Sequence, residues 1–572
     1  MDKTFATKPA NPKANKIASE LRSIQQKRIQ HDAFVQESTH FVLPRKSDMR
    51  EIQSIGSFNG GELKSYANLF TRAARSSNQK MASGIFSYMT PKNQKWFKIT
   101  TGDRELDEND EVYKYFDSVR DTMLDLLARS NFTEISHETY LNFGSIGTVC
   151  SQVEWDKDED GLMLTDYPYN TFWFTEDNKG RPNRIFREFV WTAEQAVDEW
   201  SEEELKDCAS VMKAYYSEDE DARREQFKFI HLVEPNKHRK HDKIDKSNKK
   251  YKSTFICDND KQIIREGGFD TLPYKVARFL KYNTEGQVMG YSPAMDCMPI
   301  IKTLENLKKK FIFAVEKNLN PAMSRGVSIG QVPNKVRSSP NAINNFDSRN
   351  PESKPTPILQ QIDLSYSLAE LEEEVKQIED AFFIPSFQTI TNIDKSNVTA
   401  TEILAREREA LAAISPAISR IEDEWLEPIL EDVFEIANKR GMLPEPPQEL
   451  EGGVIRLEFT GILSSAPKLT ESVAVMNYFQ ELGVMLEFMP EDKRIETMSS
   501  LDFYEINKTL QENRNLPARF RFSREEMEEE AAKIQQQQQK DQEQERLANV
   551  AKQQPLNQAP EEGSPMEGMM NG

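Results

Sequence analysis

The run His238-Arg239-Lys240-His241 places two imidazoles three residues apart, a spacing at which neutral histidines can share a metal ion. Its surroundings, HLVEPNKHRKHDKIDKSNKKYK, have the lysine-rich composition of a solvated connector, which is the stronger reading. His137-Glu138 lacks the second histidine three residues further on that a zinc hydrolase helix requires. The acidic clusters Glu218 to Asp221 and Glu372 to Glu374 read as solvated helix faces rather than oxygen cages for a cation. GSIGTV at Gly144 to Val149 carries two glycines but neither the spacing nor the lysine of a nucleotide phosphate cradle, so no ATP-driven step is expected. Six scattered histidines without a Ser or Cys partner give no nucleophilic triad. Cys150, Cys208, Cys257 and Cys297 stand far apart with no CxxC pair, which disfavours a disulfide framework and a zinc site. The expectation is a protein without catalytic residues, metal or cofactor.

Composition narrows the class. With 37% hydrophobic and 29% charged residues the chain suits a soluble protein with a large core, and no run approaches the roughly 18 apolar residues that would span a bilayer. The segment MDKTFATKPANPKANK is basic but has no apolar stretch, so no secretory signal is expected and a reducing cytoplasm is the expected place of synthesis. The net charge of -20 argues against a surface built to grip nucleic acid, because such affinity comes from clustered Lys and Arg displacing counterions. It does not argue against a protein that handles DNA without holding it.

The elements that would position any site form an α+β, mostly helical pattern. Residues 1–19 read as a disordered arm; helical spacing runs from Ile17 to Val42, again from Tyr66 to Met89, and twice between 111 and 142. GTVCSQVEWD and GLMLTDYPYNTFWFT read as two strands of a hairpin, followed by strand-like IFREFVWT, FKFIHLVEP, KSTFICD and KVARFLKY. SPAMDCMPIIKTLENLKKKFIFAVEKNL reads as one helix with Pro293 in its first turn, and SLAELEEEVKQIEDAFF as a second, acidic one. Between them lies a Pro-, Ser- and Asn-rich insertion. In NVTATEILAREREALAAISPAISRIEDEW and the residues after it, Thr399 and Glu402 have the spacing of a capping box, while Ile403, Leu411, Ile414, Ile418, Ile421, Trp425 and Ile429 form an apolar stripe that Pro416 and Pro428 should kink or interrupt. GGVIRLEFTG is strand-like, residues 469–512 are helical, and the Gln-rich run after Ser523 decays into a disordered tail over 547–572.

The order of these segments resembles the head-to-tail connector, or portal, proteins of short-tailed bacteriophages. MASGIFSYMTPKNQKWFKI is similar to that family's helix, proline and Trp-Phe pair, here Trp96-Phe97. YLNFGSIGTV resembles its Phe-Gly-Thr-Gly turn with Ser145 and Ile146 inserted, and GRPNRIFREFVWTAEQ its Arg-Glu plus Thr-x-x-Gln element. GGFDTLPYKVARF through GYSPAMDCMP resembles its Pro-Phe and Tyr-Gly-x-x-Pro-Ala elements, with Tyr274 for the Phe and Met289 for the Tyr; VTATEILAREREAL followed by SPAISRIEDEWLEPIL is similar to its Thr-Ala-Thr-Glu helix.

The resemblance implies a portal-type subunit that assembles into a ring, typically of twelve, at one capsid vertex of the virion. It implies a wing over 20–290 and 399–468, stem helices at 291–320 and 365–383, and a clip at 321–364. A tunnel loop would occupy 384–398 and crown or barrel helices 469–546. Expected partners are the terminase large subunit, tail adaptor and tail tube proteins, major capsid and scaffolding proteins, internal core or ejection proteins, and double-stranded DNA passing through without sequence preference. DNA carries one negative charge per about 1.7 Å of axis, so a conduit should be acidic or neutral with sparse basic contacts. Lys308, Lys309, Lys310 and Lys317 on the first stem helix and Lys395 in the loop are the candidates for approaching phosphate, although three consecutive lysines cannot face one way. Arg325, Lys335 and Arg337 are candidates for meeting partner proteins at the clip, and Thr399, Glu402, Pro416, Trp425 and Pro428 are structural candidates. The alternative of another class is a non-viral scaffold or adaptor that oligomerises through its acidic, Gln-rich helices.

Overall fold

The computed structural model describes residues 8–46, 69–92, 94–107, 109–239, 248–282, 286–319, 323–324, 356–357, 364–391, 412–450 and 456–459, with interrupted pieces between 474 and 510. Two compact units divide the chain: Met1–Thr100, Ser118–Pro446 and Gly453–Pro467 make one, and Thr101–Asp117, Pro447–Gly452 and Lys468–Gly572 the other.

In the larger unit, α1 (Pro12–Val42) starts earlier than the apolar spacing suggests. Asn11 accepts a hydrogen bond from the Lys13 N–H at 3.0 Å and Pro12 occupies the first turn, so an Asn-Pro start signal overrides the expected disordered arm from residue 12 onward. Ala14 and Ala18 are buried with Ile17 and Leu21 against Trp173, Phe186, Ile230, Leu232 and Ile256. Those partners lie on a five-stranded antiparallel sheet of β4 (Phe172–Glu176), β5 (Pro182–Thr192), β6 (Gln226–Pro235), β7 (Tyr251–Cys257) and β8 (Gln262–Phe269). Alternation sends Phe189, Phe227, Phe229 and Cys257 to the opposite face. There they pack with Trp200, Leu205, Cys208 and Met212 from three short helices and their caps, α6 (Ala193–Glu199), α7 (Glu202–Leu205) and α8 (Ala209–Tyr215); α9 (Glu220–Arg223) follows and buries no residue. Thr192 and Gln195 close a capping box at the start of α6, which gives the Thr-x-x-Gln element its physical role.

A second sheet has the order β3 (Gly161–Asp166), β2 (Thr148–Asp156), β9 (Tyr274–Arg278), all antiparallel. The stretch expected as one strand from Gly161 to Thr175 is thus divided between two sheets. Pro168, which has no N–H to donate, opens a 3₁₀ turn at Tyr169–Thr171 between β3 and β4. Short pairs join β1 (Phe97–Thr100) to β14 (Arg456–Phe459), β10 (Leu280–Lys281) to β11 (Gly290–Tyr291), and β12 (Met323–Ser324) to β13 (Thr356–Pro357).

The helices α2 (Ala73–Met89), α4 (Asp110–Arg129) and α5 (Phe132–Ser145) agree with the sequence pattern, including the break near Asn131. The single long helix expected from Pro293 does not form: α10 (Pro293–Asp296) ends at Cys297 and α11 (Met298–Leu319) follows. Pro299 in the first turn of α11 cannot donate to the preceding turn, and this accounts for the break. The remaining helices are α12 (Ser365–Ala381) and α13 (Ile384–Thr391), then Ser415–Ile421 and Glu427–Lys439 on either side of a π turn at Glu422–Leu426.

The smaller unit contains α3 (Arg104–Asp107), the first residues of α4, a 3₁₀ turn at Gln448–Leu450 and helical pieces after 473. Asp107 accepts from the N–H and the hydroxyl of Thr101, both at 2.8 Å, and the Phe479 and Phe503 rings meet at 6.0 Å.

Candidate functional site

The helices α11 and α12 are neighbours and flank the insertion in which β12 pairs with β13. Their burial is graded along their length. At the root, Met298, Ile301 and Leu304 of α11 and Leu371 and Ile378 of α12 are buried. Toward the insertion, Ile312, Phe313 and Leu319 are 44%, 52% and 77% exposed, and Tyr366 and Leu368 are 79% and 47% exposed. A soluble surface tolerates isolated apolar residues, but several at one end of a helix pair are characteristic of a face that another molecule covers.

Charge is distributed around the same pair. Lys308 lies 5.3 Å from the Phe311 ring and Lys309 lies 5.8 Å from the Phe70 ring, so the lysine triplet fans out as helical geometry requires. Lys309, Lys310 and Lys317 are exposed and Lys308 is half-buried. On α12, Glu372 and Glu373 are exposed, while Glu379 pairs with Lys80 of α2 at 2.8 Å. At the root of α11, Lys302 pairs with Glu37 of α1 at 2.6 Å, and Glu305 accepts from the Phe70 and Thr71 N–H groups at 2.7 and 3.1 Å. Among the described residues, these contacts fasten the proximal half of the hairpin to the body.

Phe383, at φ 58°, turns the chain out of α12 into α13. The start of the expected tunnel loop is therefore helical. Phe387 is buried, stacked on Tyr88 at 6.0 Å, and so close to Gly84 that a Cβ there would meet its ring at 2.7 Å. Lys395, Thr399, Glu402, Arg325, Lys335 and Arg337 lie outside the described residues. So do Lys240 and His241 of the histidine run, whereas Asp219 in the Glu218 to Asp221 cluster caps α9 by accepting from the Asp221 N–H.

Beyond that loop, Pro416 sits in the first turn of the 415–421 helix, after a turn at Ala413 and Ile414. Pro428 follows the π turn, in which the Glu427 N–H reaches back five residues to the Glu422 carbonyl. The wider turn absorbs the donor that Pro428 lacks and keeps the chain helical. Inside it, Trp425 has no exposed surface; its indole N–H donates to Ser151 at 3.1 Å, and its ring meets Tyr140 edge-on at 5.5 Å. A run of stacked rings extends from Trp425 through Phe132 (6.2 Å) and Trp96 (5.9 Å) to Phe459 (6.4 Å).

Charged groups pin the same turn. Glu424 accepts from Arg278 Nε at 3.0 Å and Nη2 at 2.7 Å, and Glu176 pairs with the same guanidinium, which is fully buried. Burial opposes the charge on Arg278, but hydrogen bonds and Coulombic attraction from Glu424, then Glu176, overcome this and raise its pKa. Lys275, three residues earlier on β9, pairs with Asp432 at 2.9 Å. Burial outweighs the attraction of Lys275 and pushes Asp432 up to about 6.

Two of the quoted motifs meet in space. Gly147, at φ +80°, comes so near Gly290 that a Cβ on Gly290 would lie 2.0 Å from the Gly147 carbonyl oxygen. The Ser292 hydroxyl donates to the Ser145 carbonyl at 3.1 Å, and the Gly290 N–H donates to the Thr148 hydroxyl at 2.8 Å. The turn at 144–148 is thus the seat on which the start of α10 rests.

A family model described as bacteriophage head to tail connecting protein matches residues 14–506. The chain belongs to this connector family. It is 27% identical over 440 residues to a probable portal protein of Bordetella phage BPP-1, covering 76% of this chain and 77% of that one. It is also 26% identical over 417 residues to the portal protein of Salmonella phage epsilon15, covering 72% of this chain and 73% of the relative. A solved chain from the neck of an empty GTA particle, computed with C6 symmetry, aligns at a TM-score of 0.37 and 10% identity over 77% of this chain and 95% of that one. Reasoning from motifs missed Arg278, Glu424, Lys275 and Asp432, because no local signal distinguishes a charged residue that finds a partner over a hundred residues away.

Proposed function

We propose that this chain is a portal protein of the virion that forms a closed ring, of twelve subunits, at one capsid vertex, and that its channel carries the genome inward during packaging and outward at ejection. The observation that carries the reading is the exposed apolar end of the α11–α12 pair, which a neighbouring subunit would cover. In this reading α11 and α12 are the stem helices within 291–320 and 365–383, and 321–364 is the clip that meets the terminase large subunit and later the tail adaptor or tube. Residues 20–290 and 399–468 make the wing toward capsid and scaffolding proteins, 384–398 the tunnel segment, and 469–546 the crown or barrel near internal core or ejection proteins. Lys308, Lys309, Lys310, Lys317 and Lys395 would supply the sparse basic contacts, and Arg325, Lys335 and Arg337 the partner contacts. Because the net charge is -20, double-stranded DNA would slide past a largely repulsive wall. The protein would have no catalytic role; the force for translocation comes from terminase.

Negative-stain images of the purified chain test this. Rings with a central hole are the expected result, and a stable 66.0 kDa monomer at high concentration would overturn it.

A further inference from the structure

The sequence places Cys208 and Cys257 far apart, but the fold brings them together under the edge of the five-stranded sheet. Cys208 stands at the junction of α7 and α8, and Cys257 ends β7 where the chain turns into β8. Among the described residues, their sulfurs and the Asp260 carboxylate are the one group of His, Cys, Asp or Glu atoms placed to hold a metal ion, all within 4.8 Å of one another. Four ligands around zinc with bonds of about 2.0–2.3 Å stand about 3.3–3.8 Å apart. The separation between Cys257 Sγ and Asp260 Oδ2 is 3.8 Å.

Two further features distinguish this group from thiols filling a core. Cys257 and Asp260 are separated by three positions in the turn Cys257-Asp258-Asn259-Asp260, so one tight turn presents both groups beside Cys208. The carboxylate is also held in place, since Ser210 donates to Asp260 Oδ2 through its hydroxyl at 2.6 Å and its N–H at 3.0 Å. Asn259 is exposed and Asp260 partly so, which leaves an entry path.

We propose that Cys208, Cys257 and Asp260 bind a thiophilic divalent cation of the zinc class through three protein ligands, leaving a fourth position for water. Two thiolates and a carboxylate suit zinc better than magnesium or calcium, which prefer all-oxygen shells. The ion would clamp the β7–β8 turn to the α7–α8 junction. It has no part in a reaction.

The full-length chain is equilibrated with Zn2+, dialysed and assayed for metal, and in parallel loaded with Co2+. The expected results are about one zinc per chain and a tetrahedral Co2+ spectrum with sulfur-to-metal charge-transfer bands. Cys208→Ser and Cys257→Ser should lose both signals, and Cys150→Ser should keep them. Ser210→Ala, which removes only the hydroxyl that orients Asp260, should weaken zinc roughly 10–100-fold. A wild-type chain that retains no zinc, a Co2+ spectrum without thiolate bands, or a folded Cys257→Ser that still binds zinc as tightly would each overturn the site. The Co2+ spectrum of the wild-type chain decides even where the serine variants do not fold.

Discussion

Arg278 and Glu424, 146 residues apart, form a two-pronged ion pair in which the guanidinium has no exposed surface. It joins the last residue of β9 to the π turn and so fixes where the helical segment 415–439 meets the second sheet. Removing one partner from such a pair leaves an uncompensated charge. Glu424→Gln should therefore cost on the order of 3 kcal/mol in chemical denaturation, partly relieved because Glu176 remains. Arg278→Met with Glu424→Leu should recover much of the loss. A Glu424→Gln midpoint within error of wild type would show the pair to be irrelevant to stability.

The Lys275–Asp432 pair should give stability a pH signature. Asp432 titrates at about 6 in the fold, against an ordinary value of 3.8. An acid whose pKa is raised by folding binds its proton more tightly in the native state, so its contribution is present below about pH 4 and is lost as pH rises through about 6. Measured from pH 4 to 7, the stability difference between wild type and Asp432→Asn should shift against wild type by up to about 3 kcal/mol. A difference that does not vary with pH over that range would refute this sign.

These two pairs also show where sequence reading stops. The apolar stripe is legible because helical period is a local property: Ile414, Ile418, Ile421, Trp425 and Ile429 are buried, while Ile403 and Leu411 lie outside the described residues. The β2–β3 hairpin is legible because a polar turn joins two alternating runs. The division of residues 161–175 between two sheets, the zinc-like convergence of Cys208 and Cys257, and the partners of Arg278 depend on long-range packing, which no spacing encodes. The early start of α1 is encoded in Asn11-Pro12, and its first buried turns rest partly on Ala14 and Ala18, small residues that add little to an apolar period.

Trp425 combines an indole hydrogen bond to Ser151 with the end position in the ring stack that includes Phe132, Trp96 and Phe459. Trp425→Ala should destabilise the chain by about 3–5 kcal/mol, and Trp425→Phe, which keeps a ring but loses the donor, by less. Equal losses in thermal or denaturant unfolding would assign the whole effect to the Ser151 contact.

Pro416 separates the 415–421 helix from the helical residue before it by a turn at Ala413 and Ile414. Pro416→Ala restores a backbone donor and should let the helix run through, redirecting the segment that leads back toward 384–398. Stability should change by less than about 1 kcal/mol or rise slightly, while ring formation or DNA packaging in infected cells falls. Variant rings that package at the wild-type rate would show that the interruption has no functional role.

The exposed end of the α11–α12 pair gives the most direct test of assembly. Phe313→Asp and Leu319→Asp place charges at positions 52% and 77% exposed in the single chain, where a monomer has little to lose, so subunit stability should change by no more than about 0.5 kcal/mol. Buried against a neighbour, the same carboxylates would lack partners at a cost of several kcal/mol per contact, repeated around a ring. Native mass spectrometry should then show folded monomers in place of rings. Lys310→Asp, on the same helix and also exposed, serves as a charge control; if it abolishes rings while Phe313→Asp leaves them intact, the helices associate through charge and not through their apolar ends.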